Sequence, residues 1–248
     1  MTTMQARIVH KVMGRLRWTT RVLGLVLAVA VRPALAAAPA QIPDTIEQRL
    51  KTCTVCHGAH GRAGNDGYYP SIGGKPGAYL YHQLVNFRDG RRHYPTMVYL
   101  TSNLTDAYLH EIADYFAAQN LAIERTEAPT VGPEVLARGE QLVRNGDPGR
   151  KVPACVACHD SSLGGVLPAT PGLVGLPHDY LFAQLANWRS GARKALPPDC
   201  MAEITKRLAP DDLRAVAVWL SLQHASPDAR PAAKLEQVPP MECGSTTP

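Results

Sequence analysis

The pentapeptide Cys-x-x-Cys-His occurs twice in this chain, as Cys53-Thr54-Val55-Cys56-His57 and as Cys155-Val156-Ala157-Cys158-His159. No other feature constrains the chain as much. Two thiols three residues apart can reach the two vinyl groups on one edge of a porphyrin, and the histidine that follows then falls beneath the iron as its proximal ligand. Three other chemistries use Cys-x-x-Cys. A thioredoxin-like redox pair would open a helix after a strand, and no strand-like segment precedes either copy. A structural zinc site would join two such knuckles but does not require the histidine. Simple disulfides would not select for it either. The spacing therefore predicts two covalently bound haem c groups, held by Cys53 and Cys56 and by Cys155 and Cys158, with His57 and His159 on the irons.

Around these motifs the chain repeats itself. The segment Tyr79-Leu80-Tyr81-His82-Gln83-Leu84-Val85-Asn86-Phe87-Arg88-Asp89-Gly90 matches Tyr180-Leu181-Phe182-Ala183-Gln184-Leu185-Ala186-Asn187-Trp188-Arg189-Ser190-Gly191. Ahead of it, 70–74 matches 171–175; behind it, 97–104 matches 201–208. Each half then ends in an apolar periodicity of three and four, Leu109, Ile112, Ala113 and Phe116 against Leu213, Val216, Ala217 and Leu220. That spacing lays one helical face, with helix starts at Thr105-Asp106 and Pro210-Asp211. A further helix begins near Glu134, and its first-half counterpart, from Asp44 to Lys51, is shorter. No segment alternates with period two, so the expected fold is all-α: two tandem domains, each wrapped around one haem. The boundaries read as a leader at 1–36, domain 1 at 37–126, a Pro- and Gly-bearing linker at 127–133, domain 2 at 134–225 and a Pro-rich tail at 226–248. Domains this small bury little core by themselves. A buried haem supplies the missing volume, consistent with an aromatic content of only 6%.

The formal net charge of +5 invites a nucleic-acid reading, which fails on position. Residues 1–36 carry Arg7, Lys11, Arg15, Arg17, Arg21 and Arg32 and no acid, so the remainder holds 26 − 6 = 20 basic against 21 acidic residues. No polybasic face is left for a nucleic acid. The same segment has the zones of an export signal: a positive start, an apolar run from Val22 to Val31 and an Ala34-Leu35-Ala36 cleavage site. The run is half of the ~20 residues that a bilayer span needs. Cleavage after Ala36 and a soluble, periplasmic product are expected; an uncleaved anchor is the alternative.

A sixth ligand completes a haem iron that only transfers electrons. Met97 and Met201 lie 40 and 42 residues after their histidines and seven residues before Leu104 and Leu208. They are the methionines at equivalent places in the two halves, and the chain between is long enough to fold over the far haem face. Core packing is the other role open to a methionine. Pro70 and Pro171 follow the histidines by 13 and 12 residues. Their carbonyls can accept the imidazole Nδ1–H and orient the ring, or the prolines can simply shape a turn.

The tandem Cys-x-x-Cys-His domains, each with Y-L-x-x-Q-L-x-x-F/W-R-x-G and a following methionine, resemble the di-haem cytochromes c4, a branch of the class I cytochromes c, over residues 44–225. The resemblance implies His57 and Met97 on the first iron and His159 and Met201 on the second. It also implies a carrier of single electrons, without enzymatic activity, in a respiratory chain. A quinol-oxidising complex or a dehydrogenase would be the donor and a terminal oxidase the acceptor, with membrane association only through those partners. Two features depart from the pattern. Phe87 to Met97 spans 10 residues where Trp188 to Met201 spans 13, and the tail with Cys243 is long.

The tail matters because Cys200 directly precedes Met201. A Cys200–Cys243 disulfide, two free thiols, or thiolate ligation of the second iron by Cys200 are the three readings. Thiolate ligation belongs with a rival function: a di-haem enzyme resembling thiosulfate dehydrogenase or a peroxidase, one of whose haems is Cys-ligated or open. A cytochrome subunit of a larger dehydrogenase is a third function. His60, His82, His93, His110, His178 and His224 have no repeated partner and read as surface or core residues, and Arg91-Arg92-His93 reads as a solvated loop.

Overall fold

The computed structural model describes residues 42–63, 69–119, 129–223 and 230–246. The leader, its cleavage site, most of the 119–128 connection and His224 lie outside the described residues. Among the described residues ten α-helices run in chain order: α1 Ile46–Arg49, α2 Lys51–His57, α3 Gly77–Arg88, α4 Pro95–Thr101, α5 Asp106–Ala117, α6 Pro133–Asn145, α7 Val156–His159, α8 His178–Ser190, α9 Cys200–Arg207 and α10 Pro210–Ser221. The fold is all-α apart from a small antiparallel hairpin, Gly165–Val166 with Thr170–Pro171, which the sequence periodicity does not announce because two-residue strands show no alternation.

The helices form two lobes with the repeat laid over them. In the first lobe α3 packs on α5, which turns Leu109, Ile112, Ala113 and Phe116 inward; in the second, α10 turns Leu213, Val216, Ala217 and Leu220 inward against α6 and α8. These are the faces expected from the three- and four-residue spacing. Thr105 caps α5, its hydroxyl accepting the Tyr108 N–H at 3.3 Å. At α10 the carboxylate of Asp212 reaches back to the Ala209 N–H at 3.1 Å.

The second lobe is closed by a crossing of α6 over α10 at Gly139. A Cβ built there would stand 2.3 Å from the Ala215 carbonyl oxygen and 2.7 Å from the Trp219 Cβ, so the two backbones meet only because the residue is glycine. Below the crossing, Asp212 receives Arg138 Nε at 2.7 Å and lies 2.7 Å from Arg150, while Asp147 receives Arg138 and Arg150 at 3.0 and 2.8 Å. Burial pushes the Asp212 carboxyl up, but the two guanidinium donors and the Ala209 amide outweigh it and hold the group below its ordinary value.

Two outcomes follow for stability. Gly139→Ala forces a methyl into the crossing and lowers stability by about 1–3 kcal/mol, measured as a shift of the denaturant midpoint without a change in slope. Because the folded pKa of Asp212 is depressed, its contribution is complete above the ordinary aspartate value of 3.8 and is lost as pH falls from there toward the folded value. Asp212→Asn flattens the acid limb of a stability–pH curve.

Candidate functional site

Each Cys-x-x-Cys-His motif forms the wall of an internal cavity. In the first lobe, α2 delivers Cys53, Cys56 and His57 to a cavity of about 730 Å³ that Met97, on α4, also lines. In the second, α7 and the residue before it deliver Cys155, Cys158 and His159 to a cavity of about 990 Å³ that Met201, on α9, also lines. Both volumes fall in the ~300–1,000 Å³ range of small-molecule sites. The eight residues singled out from the sequence are thus gathered four and four.

The histidines are oriented alike. Nδ1–H of His57 donates to the Pro70 carbonyl at 2.9 Å, and that of His159 to the Pro171 carbonyl at 2.8 Å. Of the two roles open to these prolines, orientation of the ring is the one seen. The bond protonates Nδ1 and leaves Nε2 with its lone pair, the tautomer that a metal takes. Burial lowers the pKa of both rings; the proline carbonyls oppose this, and Arg92 for His57 and Lys75 for His159 add to it, so both imidazoles stay neutral.

The four cysteines of the motifs form no disulfide. Burial pushes the Cys155 thiol up to about 12 and raises Cys53 and Cys158 as well, leaving uncharged thiols rather than exposed thiolates. Among the described residues no three His, Cys, Asp or Glu side chains converge as a metal site, so the two pairs do not make a zinc knuckle.

Between the two cavities lies a polar cluster with the symmetry of the repeat, which the motif reading missed. Arg92 donates to Gln83 of its own lobe at 3.0 Å and to Tyr180 and Gln184 of the other at 3.1 and 2.8 Å. Arg193 mirrors it, donating to Gln184 of its own lobe at 2.7 Å and to Gln83 of the other at 2.8 Å. Each guanidinium also lies over the aromatic ring of its own lobe, Arg92 over Phe87 at 4.5 Å and Arg193 over Trp188 at 3.6 Å. The two loops pair backbone to backbone, with the Lys194 N–H donating to the Arg91 carbonyl at 2.7 Å. Arg92 is therefore not part of a solvated loop. The signal was present: carrying the aligned block two residues past Gly90 and Gly191 pairs Arg92 with Arg193.

This cluster is short of negative charge. Lys75 is half-buried in the walls of both cavities and donates to the Gly172 carbonyl at 3.4 Å. Burial lowers the pKa of Lys75 and of Arg193, the latter further through Arg92. Burial would raise the Tyr180 phenol, but Arg92 and Arg193 override it and bring it below its ordinary value. Lys75, Arg92 and Arg193 make no ion pair with a carboxylate among the described residues. In the wall of the second cavity the indole N–H of Trp188 is buried without a partner. Buried cations and an orphaned donor facing a cavity need anionic acceptors, and the propionates of a haem are such acceptors. The neutral Nε2, the paired thiols, the cavities and this charge deficit together fit two haem c groups.

Cys200 and Cys243 are joined by a disulfide, with Cα atoms 5.2 Å apart. No thiolate is then left at Cys200 to take the place of Met201. The bond also draws the tail onto the second lobe.

No protein-family model matches the chain. The thiosulfate dehydrogenase electron acceptor of Thiomonas intermedia (strain K12) is 35% identical over 210 residues, 84% of this chain and 95% of that protein. Cytochrome c4 of Pseudomonas aeruginosa is 31% identical over 180 residues, 72% of this chain and 87% of that protein. The crystal structure of reduced recombinant cytochrome c4 from Pseudomonas stutzeri superposes with a TM-score of 0.60 at 26% identity, over 71% of this chain and 95% of that one. Two helical lobes, each with a Cys-x-x-Cys-His cavity, and a match along nearly the whole of these relatives lead to one assignment: the chain belongs to the cytochrome c4 family of class I cytochromes c and carries two haem c groups.

Proposed function

We propose that this di-haem electron carrier works in the periplasm, relaying single electrons from an oxidising enzyme toward a terminal oxidase, with no substrate chemistry of its own. The observation that carries the reading is the pairing of each motif histidine with one methionine in the wall of one cavity. Cys53 and Cys56, and Cys155 and Cys158, would tether the two porphyrins; His57 with Met97 would hold the first iron, and His159 with Met201 the second. When bound, the haem iron supplies reversible one-electron redox chemistry, and thioether ligation favours its ferrous state.

The remaining work falls to the chain's own residues. Pro70 and Pro171 hold the imidazole planes, Arg92, Arg193, Lys75 and Trp188 receive the carboxylates, and the apolar walls exclude water. Ligating side chains held rigidly by the fold would keep the reorganisation accompanying electron transfer small. Lys75, Tyr79, Gln83, Tyr180, Gln184 and Arg193 line both cavities, so the two sites share one wall. That arrangement supports electron exchange within the molecule.

The relative from Thiomonas intermedia bears the name of an electron acceptor for thiosulfate dehydrogenase. It favours such a dehydrogenase over a quinol-oxidising complex as donor here. The enzyme reading with a Cys-ligated haem loses support from the engagement of Cys200 in a disulfide. Among the described residues no helix is long and apolar enough to cross a membrane, and the leader supports export with cleavage after Ala36, which N-terminal sequencing of the mature protein checks directly.

The ligand set is tested by counting haems and reading their spin state. Two haems per chain, both low-spin with the weak red charge-transfer band of methionine ligation, are expected in the oxidised protein. Met97→Ala and Met201→Ala each remove about half of that band and convert one haem to high spin. A thiolate spectrum in the unaltered protein would overturn the carrier reading. Arg193→Met, which removes a cation beside both sites, lowers at least one reduction potential in a voltammetric titration. The expected drop is roughly tens of millivolts, as for one unit charge at an effective dielectric of about 20.

A further inference from the structure

The two cavities share their inner wall but differ at the outer one. Every residue from Ala233 to Cys243 lines the second cavity, and Ser245 and Thr246 follow. Among the described residues none of the tail lines the first. The tail has no helix there and little core of its own, with Val238 standing 91% exposed. It is fastened at both ends instead. At one end Ala232 pairs with the hairpin, its N–H donating to Gly165 and its carbonyl accepting from Leu167, both at 2.8 Å. At the other the Gly244 N–H donates to the Pro198 carbonyl at 2.9 Å, Ser245 Oγ accepts the Leu196 N–H at 3.1 Å, and the Cys243–Cys200 bond closes the loop beside Met201.

Among the described residues the first lobe has no such cover. Val55, between Cys53 and Cys56, is 84% exposed, and Tyr99, two residues after Met97, is 81% exposed; Ala157, the counterpart of Val55, is half-buried.

Resting on the haem assignment above, we propose that residues 230–246 form a disulfide-latched lid over the second haem. The lid closes that haem to solution and leaves the first as the place where electrons enter and leave the protein. A segment with so few apolar contacts stays in place because its ends are pinned. The disulfide removes the conformational freedom of the 43-residue separation between Cys200 and Cys243, which would otherwise favour an open tail.

The test is broadening of the haem meso-proton resonances of the ascorbate-reduced protein by a soluble neutral gadolinium chelate, a probe of solvent access that displaces no iron ligand, after a haem count of two has secured the assignment on which the lid depends. One haem's set is expected to broaden strongly and the other to be at least threefold less affected. The protected set should lose that protection when a phosphine cleaves Cys200–Cys243, and likewise in Cys243→Ser, while the other set stays unchanged. The red methionine band of the oxidised Cys243→Ser protein must persist. Equal broadening of both sets in the intact protein, or a protected set indifferent to the phosphine, overturns the lid. A loss of protection accompanied by loss of that band overturns it too, since the disulfide would then be holding Met201 rather than a cover. The phosphine arm uses the unaltered chain and does not depend on the variant folding.

Discussion

Each lobe of this protein is built around a hollow. Five helices and a few dozen apolar side chains cannot close a core around a cavity of about 730 or 990 Å³, and filling such a space with water or leaving it empty would cost the lobe its packing. The covalent attachment chemistry of Cys-x-x-Cys-His is what the rest answers to. It fixes one edge of the porphyrin to a short helix and sets the histidine beneath it. Everything else, from the proline carbonyl that holds the imidazole to the helix that brings a methionine to the same cavity, is disposed around that fixed edge. The low aromatic content follows from the same constraint, since the porphyrin takes the space that large side chains would fill.

The second constraint is electrostatic. Placing two such groups side by side brings their acidic side chains toward one wall, and the protein meets them with Lys75, Arg92 and Arg193 and no compensating carboxylate among the described residues. The arginines are exchanged across the boundary, each bound to a glutamine of its own lobe and one of the other. A guanidinium with five donors in a plane suits this bridging role, and an aromatic ring beneath each one limits its freedom. The lobes are therefore joined through the group-binding wall itself, which ties the geometry of one redox site to that of the other.

Much of this was legible in the chain. The repeated pentapeptide yields the cofactor, because two thiols at this spacing reach both vinyl groups of a porphyrin and the histidine follows directly. The period of three and four in 109–116 and 213–220 yields the helices that close each core. The paired positions of Met97 and Met201 point to the cavities they line. Other elements were harder to read. The two-residue strands of the hairpin are too short to carry a period, and Arg92 looked like one charge in a basic loop until its partner Arg193 was found across the boundary. The Pro-rich tail reads only as a tail, and Cys243 leaves three roles open for Cys200, since nothing local distinguishes a free segment from one pinned at both ends.

The sequence by itself determined the all-α class, the duplication and the two haem c groups, because covalent chemistry and helical periodicity act over a few residues. Only the tertiary structure decided three further matters: that Cys200 pairs with Cys243, that the arginines cross from lobe to lobe, and that the tail covers one cavity and not the other. These are contacts between residues dozens of positions apart. Several partners are sterically open to each of them along an extended chain, and the choice is made by which surfaces the packed helices bring within a few ångströms.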